Sequence, residues 1–597
     1  MTISFISLFV VAFLTMTTLR IALAQINSTV GDITGNAAKM ITYLGRAQAV
    51  QANLVLFPEM SLPGYPPEDL LLKPDFTAAN RAALESLLPH THGLTAVVGF
   101  VDRQEDLFNA AAVLHDGQLV GIYHKTFLPN YAVFDEDRYF AEGNTPILFT
   151  IPSANPTTPS ITFGVSICED IWYPAGPPQA QAAAGAELLL NISASPYQNG
   201  KIQYREQMMC VRAIDDLAIV VYCNLVGGQD ELIFDGSSLI VDERGQILAR
   251  GKSFEEDFMV TDINMSNVFR HRLSDPRRRK SNFPSIYDDT FQRIMLTTPF
   301  DRQPKSPLEP AMAPLLDPVE AAYKALVLAT GDYVRKNGFQ KVALGLSGGI
   351  DSSLVAAIAV DALGAENVIG VLMPSRYSSD HSKSDAADLA ERLGMRYETI
   401  AIEPAYQAYL EMLQTVFADT QPGVAEENLQ SRARGNTLMA LSNKFGWMIV
   451  TTGNKSEMAV GYATIYGDMA GGFAVIKDVP KTLVYQLCHY RNQISYVIPE
   501  NVLTKPPSAE LRPDQKDTDS LPEYDILDAI LAAYIEDEYS VAEIIAVGFD
   551  EATVRRIIQL VDRNEYKRRQ APPGPKITSK AFGKDRRLPI TNRYRSA

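Results

Sequence analysis

The 597-residue chain has only four cysteines, Cys168, Cys210, Cys223 and Cys488, widely spaced and without a C-x-x-C pair. That scarcity argues against a disulfide framework and against a thiolate zinc cluster, and it suits a reducing cytoplasm. The seven histidines include no H-E-x-x-H, so a metalloprotease-type zinc site is unsupported. Positive charge is also short: 54 Lys and Arg stand against 70 Asp and Glu, a net charge of −16. Such a balance disfavours a general nucleic-acid binder, because nothing in it neutralises a phosphate backbone. Internal repeats and low-complexity tracts are absent. The apolar stretch from Ile3 to Leu14 is short for a membrane span and lacks a preceding basic region. A start at Met16 gives MTTLRIALAQIN, already a first core strand, so Met1 to Thr15 reads as an over-extended start.

A hydrophobic content of 46% with 21% charged residues is that of a folded protein, and the length calls for two large domains or more. The most informative stretch is GLSGGIDSS, Gly345 to Ser353, directly after the apolar run KVALGL and before SSLVAAIAVDALG. This reads as strand, tight loop, helix. Ser347, Gly348 and Gly349 let backbone N–H groups approach an anion closely, and the helix start adds its positive end. The loop lacks the G-x-x-x-x-G-K-[ST] spacing of a P-loop, while Asp351 offers a carboxylate for a Mg²⁺ on a pyrophosphate.

From Leu19 to about Asn264, β-rich runs alternate with helical stretches, predicting a layered α/β sandwich. Three ionisable groups stand where apolar strands end: Glu59 after LVLFP, Lys125 after VGIYH, and Cys168 after ITFGVSI. A thiol needs a base, which Glu59 can be, and a tetrahedral oxyanion needs a fixed positive charge, which Lys125 can be. Cys210 and Cys223 read as core. Glu136, in a charged DEDR loop, is equally explained by a solvated surface and is left unassigned. Between Arg270 and Pro318 the prolines multiply, which opposes regular elements and reads as an interdomain crossing. The basic run Arg277 to Lys280 within it reads as solvated linker. After it, strand and helix alternate again, implying a doubly wound parallel sheet with ligands at the carboxyl ends of its strands.

The string SGGxDS resembles the pyrophosphatase loop of the adenylating amidotransferase ligases. The segments LFPEMSLPGYPPEDLL, HKTFLPNYAVFDEDRYF and SICEDIW resemble the nitrilase-type amidase domain in the form fused to NAD synthetase. ENLQSRARGNTLM, TTGNKSEMAVGYATIYGDMAGGFAVIKDVPKTLVYQL and NEYKRRQAPPG resemble NAD synthetase itself. The resemblance implies an α/β protein: a nitrilase-like α-β-β-α sandwich over 17–269, a linker over 270–317, and a doubly wound adenylating domain over 318–597. It makes Glu59 the general base, Lys125 the oxyanion stabiliser and Cys168 the nucleophile, with Tyr131, Ser195 and Lys201 contacting glutamine. ATP falls to Gly345, Leu346, Ser347, Gly348, Gly349, Ile350, Asp351, Ser352 and Thr452. Deamido-NAD falls to Asn428, Glu457 and Lys567, and Mg²⁺ to Asp351 and Glu457. The implied activity is amidation of an adenylated deamido-NAD by ammonia from glutamine, in a cytoplasmic homo-oligomer with no nucleic-acid or membrane partner. The rivals are an ammonia-dependent ligase with an inert amidase domain, an amidase with a nucleotide-binding regulator, and a non-catalytic assembly module.

Overall fold

The strand Thr18–Gln25 sends successive side chains to opposite faces, and both faces are buried. In the computed structural model, which describes residues 18–153, 159–276, 291–299, 306, 308, 311–513 and 515–594, Leu19, Ile21 and Leu23 enter one core while Ala22, Ala24 and Ile26 enter another. The first core lies between two sheets. One sheet has six strands in the order Asp257–Asn264, Thr18–Gln25, Leu54–Leu56, Thr95–Arg103, Leu107–His115, Gln118–His124. The other has seven, in the order Ile247–Arg250, Leu239–Val241, Ile219–Asn224, Leu188–Ser193, Ile161–Ile167, Ile147–Ile151, Gln292–Met295. Helices Ile33–Ala49 and Pro74–Leu87 cover the outer face of the first sheet, and helices Pro177–Ala183 and Lys201–Asp216 cover that of the second. The result is the expected α-β-β-α sandwich.

The hairpin read from NAAAVLHDGQLVGIYHK closes on the two residues Asp116 and Gly117, both at positive φ, as a tight turn between right-twisted strands demands. All four cysteines are free. Cys223 is buried as expected. Cys210 is half-buried on its helix, packed against the edge of the core rather than inside it.

The chain divides into two compact units, one running to Gly227 and including Phe234–Leu315, the other comprising Gly228–Ile233 and Leu316–Ala597. The expected crossing over 270–317 is therefore less bare than its prolines suggest. Helix Ser266–Ser274 runs past its start, and strand Gln292–Met295 pairs in parallel with Ile147–Ile151. Met1 to Thr15 and Arg277 to Lys280 lie outside the described residues. In the second unit a five-stranded, all-parallel sheet runs Arg396–Thr399, Val368–Leu372, Val342–Gly345, Met448–Thr451, Phe473–Ala474. Numbered along the chain, that order is 3-2-1-4-5. It reverses direction beside Val342–Gly345, and a crevice opens at the carboxyl ends of strands at such a reversal. Among the described residues no helix is long and apolar enough to cross a membrane.

Candidate active sites

In the first unit each reactive group leaves the carboxyl end of a strand. Glu59 stands three residues beyond Leu54–Leu56, and its turn presses against the neighbouring strand at Gly99, where a Cβ would meet Pro58 O at 2.2 Å and Met60 N at 2.4 Å. Lys125 follows Gln118–His124 directly. Cys168 opens the short 3₁₀ turn Cys168–Ile171 after Ile161–Ile167, with φ at +41°, a left-handed conformation that a non-glycine residue adopts at a cost. Asp170 stitches the turn to the loop after Lys125, accepting from the N–H groups of Ile167 (2.9 Å), Thr126 (3.1 Å) and Phe127 (2.9 Å) and from the Tyr123 hydroxyl (2.8 Å).

These strand ends bring Glu59, Lys125 and Cys168 into one buried cluster. The Lys125 ammonium donates to Glu59 Oε1 at 2.8 Å and to both oxygens of Glu136, at 2.9 and 2.8 Å. Glu59 Oε2 accepts from the Ala194 N–H at 2.8 Å, and Glu136 Oε1 also accepts from the Tyr65 hydroxyl at 2.9 Å. Burial alone would draw the Lys125 ammonium down, but the charges of Glu136 and Glu59 hold it well above the usual lysine range. Burial, aided by Glu59 and opposed by Lys125, pushes Glu136 up to about 7. Burial and the Glu59 charge push the Cys168 thiol well up, against the pull of Lys125. At neutral pH the Cys168 sulfur is thus a protonated thiol, and a thiol that is to attack a carbonyl must give its proton to a neighbour. Glu136, left unassigned above, is a member of this cluster at 5% exposure; nothing in the charged string DEDR distinguishes its buried carboxylate from the exposed ones around it.

Tyr131, Ser195 and Lys201 lie in the same unit. Tyr131 is exposed, and its hydroxyl donates to Glu169, the residue after Cys168, at 3.0 Å. Ser195 is buried, its N–H bonded to Asn224 Oδ1 at 3.0 Å. Lys201 opens helix Lys201–Asp216, donates to Pro196 O at 3.0 Å and lies 5.5 Å from the Trp172 ring. Sequence reasoning did not single out Glu169, though it adjoins Cys168.

In the second unit a cavity of about 320 Å³ opens at the strand-order reversal. Gly345, Leu346, Ser347, Gly349, Ile350, Asp351, Ser352 and Thr452 line it. Gly348 does not; it makes the turn, at φ +77°, where a Cβ would stand 2.1 Å from Ser382 O. Only glycine fits that double constraint. Ser347 Oγ accepts from the Gly349 N–H at 3.1 Å, and the Ser352 and Ser353 hydroxyls donate to Gly349 O, locking the loop onto helix Ile350–Leu363.

Asp351 and Glu457 both face the cavity, and both lie near the buried Lys481 ammonium, at 2.5 and 3.8 Å. Asn454 donates to Asp351 Oδ1 at 2.9 Å. Two carboxylates beside a space for phosphate are the hard oxygen donors that Mg²⁺ takes from a protein, the remaining ligands being substrate oxygens and water. Among the described residues no group of three or more His, Cys, Asp or Glu is arranged to hold a metal alone. Lys481 was not recognised as a site residue from the sequence. Asn428 and Lys567 are absent from the cavity wall. They converge instead on the turn 461–464, whose Tyr462 and Ala463 line the cavity: Asn428 Oδ1 accepts from the Thr464 hydroxyl at 2.8 Å, and Lys567 donates to Gly461 O and Ala463 O at 2.7 and 2.9 Å.

Comparison with known proteins matches residues 20–272 to the carbon-nitrogen hydrolase family and residues 322–571 to the NAD synthase family. The glutamine-dependent NAD(+) synthetase of Thermotoga maritima is 49% identical over 97% of this chain and 100% of its own length. The enzyme of the same name from Aquifex aeolicus is 48% identical over 96% of this chain and its full length. Among solved structures, the glutamine-dependent NAD+ synthetase of Acinetobacter baumannii in complex with ADP superimposes with a TM-score of 0.72 at 42% identity, covering 96% of this chain and 99% of that one.

Proposed function

Because the chain belongs to the glutamine-dependent NAD(+) synthetase family, we propose that it is a carbon-nitrogen ligase making NAD from deamido-NAD, ATP and glutamine, with AMP, pyrophosphate and glutamate as co-products. The observation that carries this reading is the buried Lys125 ammonium fixed between Glu59 and Glu136 in the cluster that holds Cys168. Glu59 takes the thiol proton as sulfur adds to the side-chain carbonyl carbon of glutamine, and Lys125 donates to the oxyanion. On collapse the C–N bond breaks, the proton passes from Glu59 to the departing nitrogen, and ammonia leaves a glutamyl thioester. Water, deprotonated by Glu59, cleaves the thioester to glutamate and restores the thiol. Tyr131, Ser195 and Lys201 orient the amino acid.

The nicotinate carboxylate of deamido-NAD cannot expel oxide, so its oxygen first displaces pyrophosphate from the α-phosphorus of ATP; ammonia then displaces AMP. Backbone amides of the 345–352 loop cradle the phosphates and Thr452 contacts the nucleotide. Asn428, Glu457 and Lys567 hold deamido-NAD around the turn Gly461–Thr464. Mg²⁺, held by Asp351 and Glu457, supplies charge neutralisation on the leaving pyrophosphate when bound. Ammonia is mostly protonated at neutral pH and then not nucleophilic, so the reading includes a shielded passage, formed partly across subunits of a cytoplasmic homo-oligomer. Isotopically labelled ammonium in the medium should then enter little of the NAD made from unlabelled glutamine.

The deciding assay incubates the purified chain with deamido-NAD, ATP, Mg²⁺ and either glutamine or ammonium, and measures NAD and AMP. Cys168→Ala should abolish glutamine-driven turnover and leave ammonium-driven turnover within about twofold of the parent. No AMP from either nitrogen source would overturn the ligase reading.

A further inference from the structure

On the inward face of strand Leu107–His115, Ala111 and Val113 join the core between the two sheets. Asn109 continues the same face, 1% exposed. An amide placed there costs free energy unless its polar atoms are bonded. Its Nδ2 donates to Glu59 Oε1 at 2.7 Å and to Glu136 Oε2 at 3.3 Å, and its backbone carbonyl accepts from the Lys125 N–H at 2.8 Å. One residue therefore touches the base, the second carboxylate and the backbone of the lysine between them. The opposite amide orientation would turn Oδ1 onto two carboxylates, so the donor must face them. Oδ1 is buried without a hydrogen-bond partner among the described residues, so an acceptor's bond is forgone while the donor's two are kept.

We propose that Asn109 is a positioning residue for glutamine hydrolysis, its single amide nitrogen bridging Glu59 and Glu136 so that the base is aimed and both carboxylates stay gathered around Lys125. The proposal rests on the glutaminase reading above. Asparagine suits the position for two reasons. It is neutral, so it neither competes with the Lys125 charge nor adds a third carboxylate, and it carries two N–H bonds on one atom, enough for two acceptors at once.

The charged and titratable groups facing the pair are Lys125 from the end of its strand, Tyr65 from the loop beyond Glu59, and Cys168 and Glu169 from the nucleophile turn. With these unchanged, removing the amide donor makes the anionic carboxylates less favourable and their protons harder to release. The acidic limb of the pH–rate profile for glutamine hydrolysis should therefore move upward.

The test compares wild type, Asn109→Leu, which keeps the branched outline and removes the donor, and Asn109→Asp, which keeps the shape and reverses the electrostatics. For Asn109→Leu, kcat/KM for glutamine hydrolysis should fall about 10- to 100-fold, the loss expected for a hydrogen bond to a charged group. Its acidic limb should rise by about half a pH unit or more, and ammonium-driven NAD formation should stay within about twofold of wild type. Asn109→Asp should be the more impaired of the two. A wild-type kcat/KM and an unmoved limb in Asn109→Leu would overturn the proposal, as would a fall in kcat/KM with no movement of the limb. If Asn109→Leu loses the ammonium-driven reaction as well, Asn109→Ser is read by the same two criteria. A wild type with no glutaminase activity at any pH removes the underlying reading instead, so the two failures are told apart.

Discussion

Asp216, the last residue of helix Lys201–Asp216, has an Oδ2 sealed from solvent and without a hydrogen-bond partner among the described residues. Burial pushes its carboxyl up to about 7, with Arg212 and Arg272 opposing and Asp215 assisting. Between pH of about 4 and 7 the folded chain holds a proton there that the unfolded chain has released. The stability this gives is complete below about pH 4, declines as pH rises from there, and is gone above about 7. Asp216→Asn removes the ionisation, so its melting temperature should gain on wild type progressively from about pH 4 to pH 7, and the gap near pH 8 should exceed that near pH 5 by an amount equivalent to roughly 2–3 kcal/mol. Thermal melts at the two pH values decide it; a gap that does not widen means the charge is not the cause. At this scale the sequence was legible where a reactive residue ends an apolar strand, as Glu59, Lys125 and Cys168 do. It was illegible where the residue type has a commoner use: Asn109 within LFNAAAVLH, Glu136 among surface charges, and Lys481 at a helix start all need their neighbours in space to be noticed.

Two elements depend on a missing side chain. Gly99 lets strand Thr95–Arg103 lie against the turn that carries Glu59. Gly99→Ala should shift that turn and lower glutamine hydrolysis at least about tenfold, since a small misplacement of a catalytic group is amplified in rate; the readout is glutamate release, with ammonium-driven NAD formation as the control. Gly348 meets both a positive φ and the Ser382 carbonyl. Gly348→Ala should lower AMP formation about 10- to 100-fold, the effect of a few kcal/mol of local strain, while glutamine hydrolysis persists. Regular elements were readable when their pattern was strong. The Asp116–Gly117 hairpin and the loop after Val342–Gly345 both follow from turn chemistry. Strand Gln292–Met295 was missed because three of its four residues are exposed, so no apolar alternation betrays it.

For the molecule as a whole, two reaction centres in separate units make the source of nitrogen a variable that can be switched from outside. The free base is the nucleophile, so the ammonium-driven rate at fixed total ammonium should climb roughly tenfold per pH unit while ammonium predominates. Glutamine-driven synthesis should show no such slope, because its nitrogen is made within the protein. A pH series with both donors measures this directly, and parallel slopes would mean that the nitrogen mixes with solvent before it is used. The fold class was legible before any coordinates because alternating β and α runs along the chain specify layered sheets, and a strand followed by small residues marks the mouth of a parallel one. How the sheets are ordered was not visible, since pairing between distant strands leaves no local trace.

The left-handed backbone at Cys168 has a consequence for any attempt to silence the first centre. Alanine or serine there inherits the same contorted peptide, so neither relaxes the turn. Glycine alone accepts that geometry freely. A Cys168→Gly protein should consequently outlast its Cys168→Ala counterpart on heating, because glycine sheds a backbone tension that alanine must keep.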